Sequence, residues 1–350
     1  MKPSKLTMNR KMLQDRMSEI LPGLRIKNFR TEAQIEDIKV DSLLVGELKG
    51  KRYTFVCEAK SLGSPSHILP VVAKLSKVAK DKRSYPIIIA PYISERSAEI
   101  CRRSGVGFID SEGNAFLSLG NILVDKRVKE RVNIEKREKL EIFSPRAVRV
   151  IRVLLESKKE RWLITALAQE ANVSLGYTSE VLRGLANQGY VNGEKRRGFQ
   201  LKDKTALLDR WASVYDFSQN KLMSLYTLEK NFGALFKKIS ETSDSLGLRC
   251  GMTLLSAASV VAPYVARFAD IYLYVEGDTA RWKKELDLRD VEAGANFYLI
   301  TPYDEGVFYR LRKVKGIPVI GNIQLYLDLI RYPARGKEQA KYLREKLIGF

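Results

Sequence analysis

The sequence contains very little histidine and cysteine, and this scarcity disfavours several kinds of catalytic site. Its 350 residues include a single histidine, His67, and three cysteines that lie far apart without a CxxC pair. A zinc site of Cys and His ligands and a disulfide framework are therefore disfavoured. A Ser-His-Asp triad would have to use His67, whose neighbours offer nothing to support that role. We expect any chemistry in this chain to come from carboxylates and lysines.

Long apolar runs are also lacking. No stretch approaches the ~20 apolar residues that a membrane span requires. The basic start, Met1-Lys2-Pro3-Ser4-Lys5, is not followed by the apolar segment of a signal peptide. We therefore expect a soluble, cytoplasmic protein with no membrane partner. The apolar fraction of 45% is enough for buried cores, and the length predicts two to three domains of ~150 residues.

Positive charge is in clear excess. The chain has 61 Lys and Arg against 41 Asp and Glu, a formal net charge of +20. Such a surplus favours a polyanionic partner, because each phosphate contact releases counterions from nucleic acid. A basic surface that is simply solvated is the alternative, so the motifs must decide between the two.

The first region, residues 1–125, reads as an α/β domain with a mixed sheet. Apolar spacing predicts a helix over residues 8–21, and two apolar segments around Lys49-Gly50-Lys51 predict a β-hairpin. The remaining predicted elements are a helix at 66–80, a buried strand at 86–90, a helix that starts after Ser94, and a strand at 106–109.

The predicted hairpin carries a constellation of charged residues. Asp41 lies on its first strand, and Glu58-Ala59-Lys60 ends the second. Asp41 and Glu58 would meet across the hairpin, where two carboxylates can hold Mg²⁺. The i, i+2 spacing puts Glu58 and Lys60 on one face, where Lys60 could orient or deprotonate an attacking water. A strand end with a surface Glu–Lys pair is the simpler alternative.

This constellation resembles the PD-(D/E)xK nuclease superfamily. The resemblance implies a restriction-endonuclease-like domain with Asp41, Glu58 and Lys60 as catalytic residues and the two carboxylates as metal ligands. Mg²⁺ would be the cofactor of an active site, and an inactive site would need none. One departure is that the following helix lacks the Gln or Tyr of many active members. It offers instead lysines suited to a nucleic-acid backbone, namely Lys74, Lys77 and Lys80.

A charged connector, residues 126–142, precedes a second region at 143–215. Helices are predicted from Ser144-Pro145, over 163–170 and over 175–188, with a basic hairpin at 190–201. Three helices followed by a hairpin are typical of a winged helix-turn-helix domain.

In such a domain the third helix enters the major groove of DNA. Ser174 would cap it, and its exposed positions would include Tyr177, Thr178 and Arg183, the last able to reach a guanine or a phosphate. The hairpin turn would form a wing tip for phosphate or minor-groove contact. The alternative is a winged helix that contacts only protein. The candidate DNA-binding residues are Ser174, Tyr177, Thr178, Arg183, Lys195, Arg196 and Arg197.

The third region, residues 216–350, is predicted to be a further α/β domain. Strands are expected at 271–275 and 297–300, and helices at 324–330 and 337–347. Gly251-Met252 and Asp270-Ile271-Tyr272 resemble a degenerate nucleotidyltransferase strand pair, with Met and Tyr in place of the required Ser and second acid. We interpret this pair as structural.

Several segments together resemble the AbiEi-type antitoxin family of type IV toxin–antitoxin systems, over about residues 38–347. These segments are 86–117, 173–179, 294–296, 302–308 and 324–329. The resemblance implies a winged-helix transcriptional regulator that represses its own operon. It also implies a C-terminal domain that opposes a nucleotidyltransferase-like toxin encoded nearby. The better-known antitoxins begin with the winged helix, so the nuclease-like domain ahead of it is a departure.

The sequence therefore favours a DNA-binding transcriptional regulator of AbiEi antitoxin type. The alternative is a Mg²⁺-dependent DNA endonuclease targeted by its winged helix, and a third option is a nuclease-like fold that only grips DNA. All three have double-stranded DNA as partner. The sequence leaves open whether the chain is an enzyme and which DNA sequence it binds. A homodimer on a repeated half-site is compatible with it.

Overall fold

A computed structural model describes most of the chain as two compact units. One comprises residues 1–138 with 184–189, and the other comprises 139–183 with 190–350. None of the helices in the described part combines the length and apolar character needed to cross a membrane. The described residues are 10–35, 38–78, 84–128, 142–194, 196–265, 268–333 and 335–350.

The first unit is built from three helices and a seven-stranded sheet among its described residues. Its sheet has the order β1-β2-β3-β4-β5-β6-β7, with β3, β4 and β5 parallel and the other neighbours antiparallel. The elements are α1 (Arg10–Ile20), β1 (Arg25–Ile35), β2 (Ile38–Leu48), β3 (Lys51–Ala59), α2 (Pro65–Leu75), β4 (Ser84–Ala90), α3 (Glu95–Arg103), β5 (Gly107–Asp110), β6 (Ala115–Leu119) and β7 (Ile122–Lys126).

Helices cover both faces of this sheet. Met17 of α1 packs in one core cluster with Phe55 and Ile87, and Leu75 of α2 packs in the other with Val56 and Ile88. Alternate residues of β3 and β4 thus face opposite cores, which is why the buried residues of each strand are consecutive rather than alternating. Because both faces of the sheet are buried, packing from two sides fixes the position of the end of β3.

The predicted mixed sheet is present, but the sequence prediction missed three of its strands. β1 is an edge strand that has no buried residue, so its sequence lacks a clear apolar alternation. β6 and β7 form a terminal hairpin whose last strand is likewise largely exposed. Edge strands bury little side-chain area, and the hydrophobic pattern that reveals a strand is weak there.

The second unit opens with a compact arrangement of helices and short strands, although residues 184–187, the end of its third helix, are assigned to the first unit. β8, β10 and β9 form a three-stranded antiparallel sheet in that order. The two-residue β8 was not predicted, and the first helix starts two residues after Pro145. The elements are α4 (Ala147–Glu156), β8 (Arg161–Trp162), α5 (Ile164–Glu170), α6 (Leu175–Asn187), β9 (Val191–Glu194) and β10 (Gly198–Leu201).

The rest of the second unit is a mixed α/β fold, so the α/β class is confirmed. Its seven-stranded sheet has the order β14-β11-β15-β13-β12-β17-β16, with β13–β15 and β12–β17 parallel. The helices are α7 (Lys204–Val214), α8 (Phe232–Leu246), α9 (Leu254–Val261), α10 (Thr279–Glu285), α11 (Asn322–Arg331) and α12 (Gly336–Leu343). The strands are β11 (Lys221–Tyr226), β12 (Cys250–Thr253), β13 (Ile271–Val275), β14 (Arg289–Asp290), β15 (Phe297–Thr301), β16 (Arg312–Val314) and β17 (Ile317–Val319).

A buried carboxyl group on α11 accepts several hydrogen bonds within this second core. Asp328 is 1% exposed and accepts hydrogen bonds from Tyr215 Oη and Thr253 Oγ1, both at 2.5 Å, and from Gln324 Nε2 at 2.7 Å. Burial is the largest influence on this group and raises its pKa to about 6, although the hydrogen bonds lower it. Every one of these partners is neutral, so the charged form remains costly.

This raised pKa predicts a specific dependence of stability on pH. The native state binds a proton at Asp328 more tightly than the unfolded chain, whose carboxyl has a pKa near 3.8. This group's contribution to the free energy of unfolding therefore falls by about 2 kcal/mol as pH rises from 4 to 7. Denaturant unfolding of the wild type and Asp328→Asn across that range measures it. A stability difference between the two that stays constant with pH would contradict the assignment.

Candidate functional site

The end of the β2–β3 hairpin holds the acidic residues that the sequence singled out. Asp41 lies on β2 next to Ser42, which pairs with Cys57 of β3. Its Oδ2 accepts a hydrogen bond, at 2.8 Å, from the backbone N–H of Ala59, the residue between Glu58 and Lys60. The structure thus brings Asp41 to the Glu-x-Lys segment, as the hairpin register requires. Asp41 itself is exposed.

Glu58 is the buried member of this group. It is 3% exposed, and both of its carboxylate oxygens contact lysine ammonium groups. Lys60 Nζ lies 3.1 Å from Oε2, and Lys74 Nζ, from α2, contacts Oε1. Because a buried carboxylate without a partner is costly, the two lysines stabilise its charge. We call Asp41, Glu58, Lys60 and Lys74 the carboxylate–lysine cluster.

These residues can be tested for their fit to a divalent cation. Mg²⁺ is usually held by one or two carboxylates with water and phosphate oxygens, so two carboxylates would suffice in number. In the cluster, however, both oxygens of Glu58 are engaged by ammonium groups. Among the described residues, no set of three or more His, Cys, Asp or Glu side chains is placed to bind a metal. The arrangement does not fit a resident Mg²⁺.

Two neighbouring groups add little chemistry. Burial raises the pKa of the Cys57 thiol to about 12, so it is neutral and unreactive at physiological pH. His67 Nδ1 lies 2.9 Å from Ser64 Oγ and 3.2 Å from Ser66 Oγ, all within the first turn of α2. These are contacts between residues close in sequence on an exposed helix end, and they do not assemble a triad.

The second candidate site is the helix–turn–helix of α5 and α6. Asn172 adopts a left-handed conformation, with φ 51°, that turns the chain between the two helices. Ser174 then precedes α6, and its Oγ lies 3.4 Å from the Tyr177 backbone N–H, the position expected of a helix N-cap. The capping position predicted for Ser174 is therefore where the structure places it.

Thr178 was predicted to be exposed, and this was wrong. It is fully buried, and its Oγ1 donates a hydrogen bond to the Ser174 carbonyl at 3.0 Å. The bond satisfies the hydroxyl within the helix, which lets the side chain pack into the core. Tyr177 is half-buried, with its hydroxyl 2.8 Å from Ser144 Oγ. Arg183, one and a half turns further along α6, is exposed as expected.

The β9–β10 hairpin presents basic residues to solvent. Arg196 and Arg197 are exposed in its turn, whereas Lys195 lies outside the described residues, as does Lys80 of the earlier predictions. The strands approach so closely that a Cβ on Gly193 would lie 2.2 Å from the Gly198 carbonyl oxygen. Glycine at that position keeps the hairpin narrow and its tip available for contacts.

An ion pair joins α4 to the segment after β15. Arg149 Nε lies 2.9 Å from both carboxylate oxygens of Asp304, and its Nη2 lies 2.6 Å from Oδ2. Its Nη1 also contacts Glu305 at 2.7 Å, and Glu305 accepts from Asn172 Nδ2 at 3.1 Å. The turn of the helix–turn–helix is thereby tied to residues 304–305.

A second arginine of α4 lies even deeper. Arg152 is 1% exposed, its Nη2 contacts Gln324 Oε1, and its guanidinium lies 5.1 Å from the Trp211 ring centroid. The sequence analysis assigned neither Arg149 nor Arg152 a role. The available signal was that both arginines lie among the apolar positions of the predicted helix, where a charge needs a buried partner.

Comparison with known proteins supports the family resemblance for the C-terminal part. Residues 200–349 match the model of a protein family, AbiEi_2, described as "Transcriptional regulator, AbiEi antitoxin, Type IV TA system". No curated protein matches the chain. One solved structure, titled "Structure of EndoMS-dsDNA2 complex", matches at 18% identity and a TM-score of 0.21. That match covers 28% of this chain and 40% of the other.

The ion pair of Arg149 predicts a large effect on stability. We expect Arg149→Ala to lower the free energy of unfolding by about 3 kcal/mol, because it leaves the buried Asp304 carboxylate without its cation. Lys237→Ala is the matched control, since Lys237 pairs with Glu241 on the surface of α8 and should change stability by less than about 1 kcal/mol. Denaturant unfolding measures both. Equal effects of the two substitutions would argue against the proposed importance of the buried pair.

Proposed function

We propose that this protein is a DNA-binding transcriptional regulator of the AbiEi antitoxin type, which binds duplex DNA through a winged helix. The match of residues 200–349 to the AbiEi_2 family carries the proposal, because that family is described as a regulator and an antitoxin. The net charge of +20 supports a nucleic-acid partner. The residues ahead of the matched segment supply a means of contacting DNA.

The order of elements over residues 147–201 supports the winged helix. Three helices, α4, α5 and α6, are followed by the β9–β10 hairpin, and β8 pairs with that hairpin. In helix-turn-helix proteins the second helix of the motif lies in the major groove, with its N-terminal residues at the base edges. Here that helix is α6, which starts at the Ser174 cap.

The exposed residues of this arrangement would contact different parts of the DNA. Arg183 projects from α6 and could make a bidentate contact with guanine or reach a phosphate. Arg196 and Arg197, at the hairpin tip, suit phosphate or minor-groove contact, which positions a protein without reading sequence. Thr178 is excluded from base contact because it is buried.

The family match also supports a partner toxin. A type IV antitoxin opposes its toxin without necessarily touching it, and the resemblance implies a nucleotidyltransferase-like toxin encoded nearby. In this interpretation the Gly251-Met252 and Asp270-Ile271-Tyr272 segments have a structural role. Met252 and Ile271 are buried in neighbouring strands of the C-terminal sheet, which is compatible with that role.

DNA binding should depend steeply on salt and on the exposed arginines. We expect Arg196→Ala/Arg197→Ala to weaken binding to all duplexes and to reduce the slope of log K against log salt by about 2. Arg183→Ala should cost about 1–3 kcal/mol on the duplex from upstream of the protein's own reading frame. Fluorescence anisotropy over a salt series measures both.

The matched control removes two charges elsewhere. Lys237 and Lys238 are exposed on α8, in the segment that matches the antitoxin family. Lys237→Ala/Lys238→Ala should leave the salt slope within experimental error of the wild type. If this control lowered the slope as much as the Arg196/Arg197 variant, general charge rather than the hairpin tip would account for binding.

A DNA endonuclease is the second candidate function. In its favour, α1, the meander β1–β3, α2 and the parallel strand β4 follow one another, with Asp41, Glu58 and Lys60 gathered at the end of β3. The part of this order that the resemblance to PD-(D/E)xK nucleases implies is the hairpin followed by a helix and a strand. Against it, the carboxylates do not fit a resident Mg²⁺, because lysines engage both oxygens of Glu58.

A cleavage assay separates the two functions. We expect the protein to bind supercoiled and linear DNA in Mg²⁺ or Mn²⁺ without cutting either, because the Glu58 oxygens are engaged by lysines. Asp41→Ala should therefore leave DNA affinity unchanged. Agarose gels scored alongside binding under the same salt provide the measurement. Cleavage that disappears in both Asp41→Ala and Glu58→Ala would instead make the chain a nuclease.

A further inference from the structure

Lys74 has the geometry of an internal counter-cation for Glu58. It reaches from the last turn of α2 to Oε1, while Lys60 holds Oε2 from the same strand as Glu58. A lysine that follows the acid by two residues belongs to the Glu-x-Lys motif. Lys74 does not, because it comes from a different element, 16 residues along the chain.

The charges of the carboxylate–lysine cluster balance. Asp41 and Glu58 contribute two negative charges, and Lys60 and Lys74 contribute two positive charges. A divalent cation entering this cluster would meet no net attraction and would be repelled by two ammonium groups. Without Lys74 the same cluster would carry one net negative charge, and Glu58 Oε1 would become available as a ligand.

The backbone tether makes Lys74 a strong competitor. Its ammonium is attached to a helix whose core residues Val71, Val72 and Leu75 are buried, so the stem of the side chain starts from a fixed point. A tethered group acts at an effective concentration of the order of millimolar, whereas a metal ion must bind from solution. The cluster in which Lys74 pairs with Glu58 is therefore favoured in solution over a cluster that holds a divalent cation.

We propose that Lys74 occupies the cation position of the Asp41–Glu58 site and keeps it free of divalent metal. The site then acts as a structural ion-pair cluster that fixes the end of β3 against α2. This inference goes beyond the DNA-binding function proposed above, because it concerns a different unit of the chain. It identifies one residue whose replacement should open a metal site.

The test is metal binding, measured without reference to cleavage. Isothermal titration with Mn²⁺ should show no saturable site in the wild type, and one site in Lys74→Gln and Lys74→Ala that is at least about tenfold tighter than any wild-type binding. The double variant Lys74→Gln/Glu58→Gln should lose that site. Lys77→Gln is the matched control, since Lys77 is exposed just after α2 and should leave the wild-type result unchanged.

Thermal unfolding provides a second readout that needs no titration. A ligand that binds only the native state raises the unfolding temperature. Added Mg²⁺ should therefore raise the unfolding temperature of Lys74→Gln and leave the unfolding temperature of the wild type unchanged. If Lys74→Gln unfolds at a lower temperature without metal, the size of the Mg²⁺-induced increase remains a valid readout.

Two results would overturn the proposal. One is stoichiometric Mn²⁺ binding by the wild type that is as tight as in Lys74→Gln and is lost on Glu58→Gln. The other is a folded Lys74→Gln variant that binds no Mn²⁺, since Lys74 would then not be what excludes the metal. Neither depends on the winged helix, so DNA anisotropy on the same variants tests the proposed function separately.

Discussion

The ion pair between Arg149 and Asp304 is the constraint around which the second unit is organised. Both side chains are largely withdrawn from water, so each needs the other, and the pair joins α4 to the segment after β15. Glu305 extends the contact to Asn172, the residue that turns the chain between α5 and α6. The orientation of the candidate recognition helix therefore depends on residues within the segment that matches the antitoxin family.

The first unit shows the same physical principle, again with a buried carboxylate. Glu58 is the buried ion, and two lysines from different elements compensate it. In both units the charged residues lie where apolar packing already fixes the backbone. The ion pairs then determine which charged side chains meet at those positions. A shared requirement for charge compensation thus shapes both candidate sites.

Much of the fold was predictable because it rests on local patterns. The apolar run of β4, the amphipathic helix α1, the Ser94 cap of α3 and the turn before α6 all follow from short-range rules. Several missed elements, β1, β7 and the two-residue β8, are short or largely exposed and bury too little side-chain area to leave a pattern. Thr178 was predicted to be exposed but is buried, because helical spacing alone does not show whether a residue at the edge of the buried face points into the core or into solvent.

The sequence by itself determined the basic charge, the α/β class, the gathering of Asp41 with Glu58-Ala59-Lys60 and the capped helix that begins after Ser174. These follow from composition and from neighbours within one hairpin or one turn. Only the tertiary structure decided that Lys74 reaches Glu58 and that Arg149 meets Asp304. Those partners lie 16 and 155 residues apart. The physical reason is that a buried charge selects its partner through packing between distant elements, and no local rule carries that information.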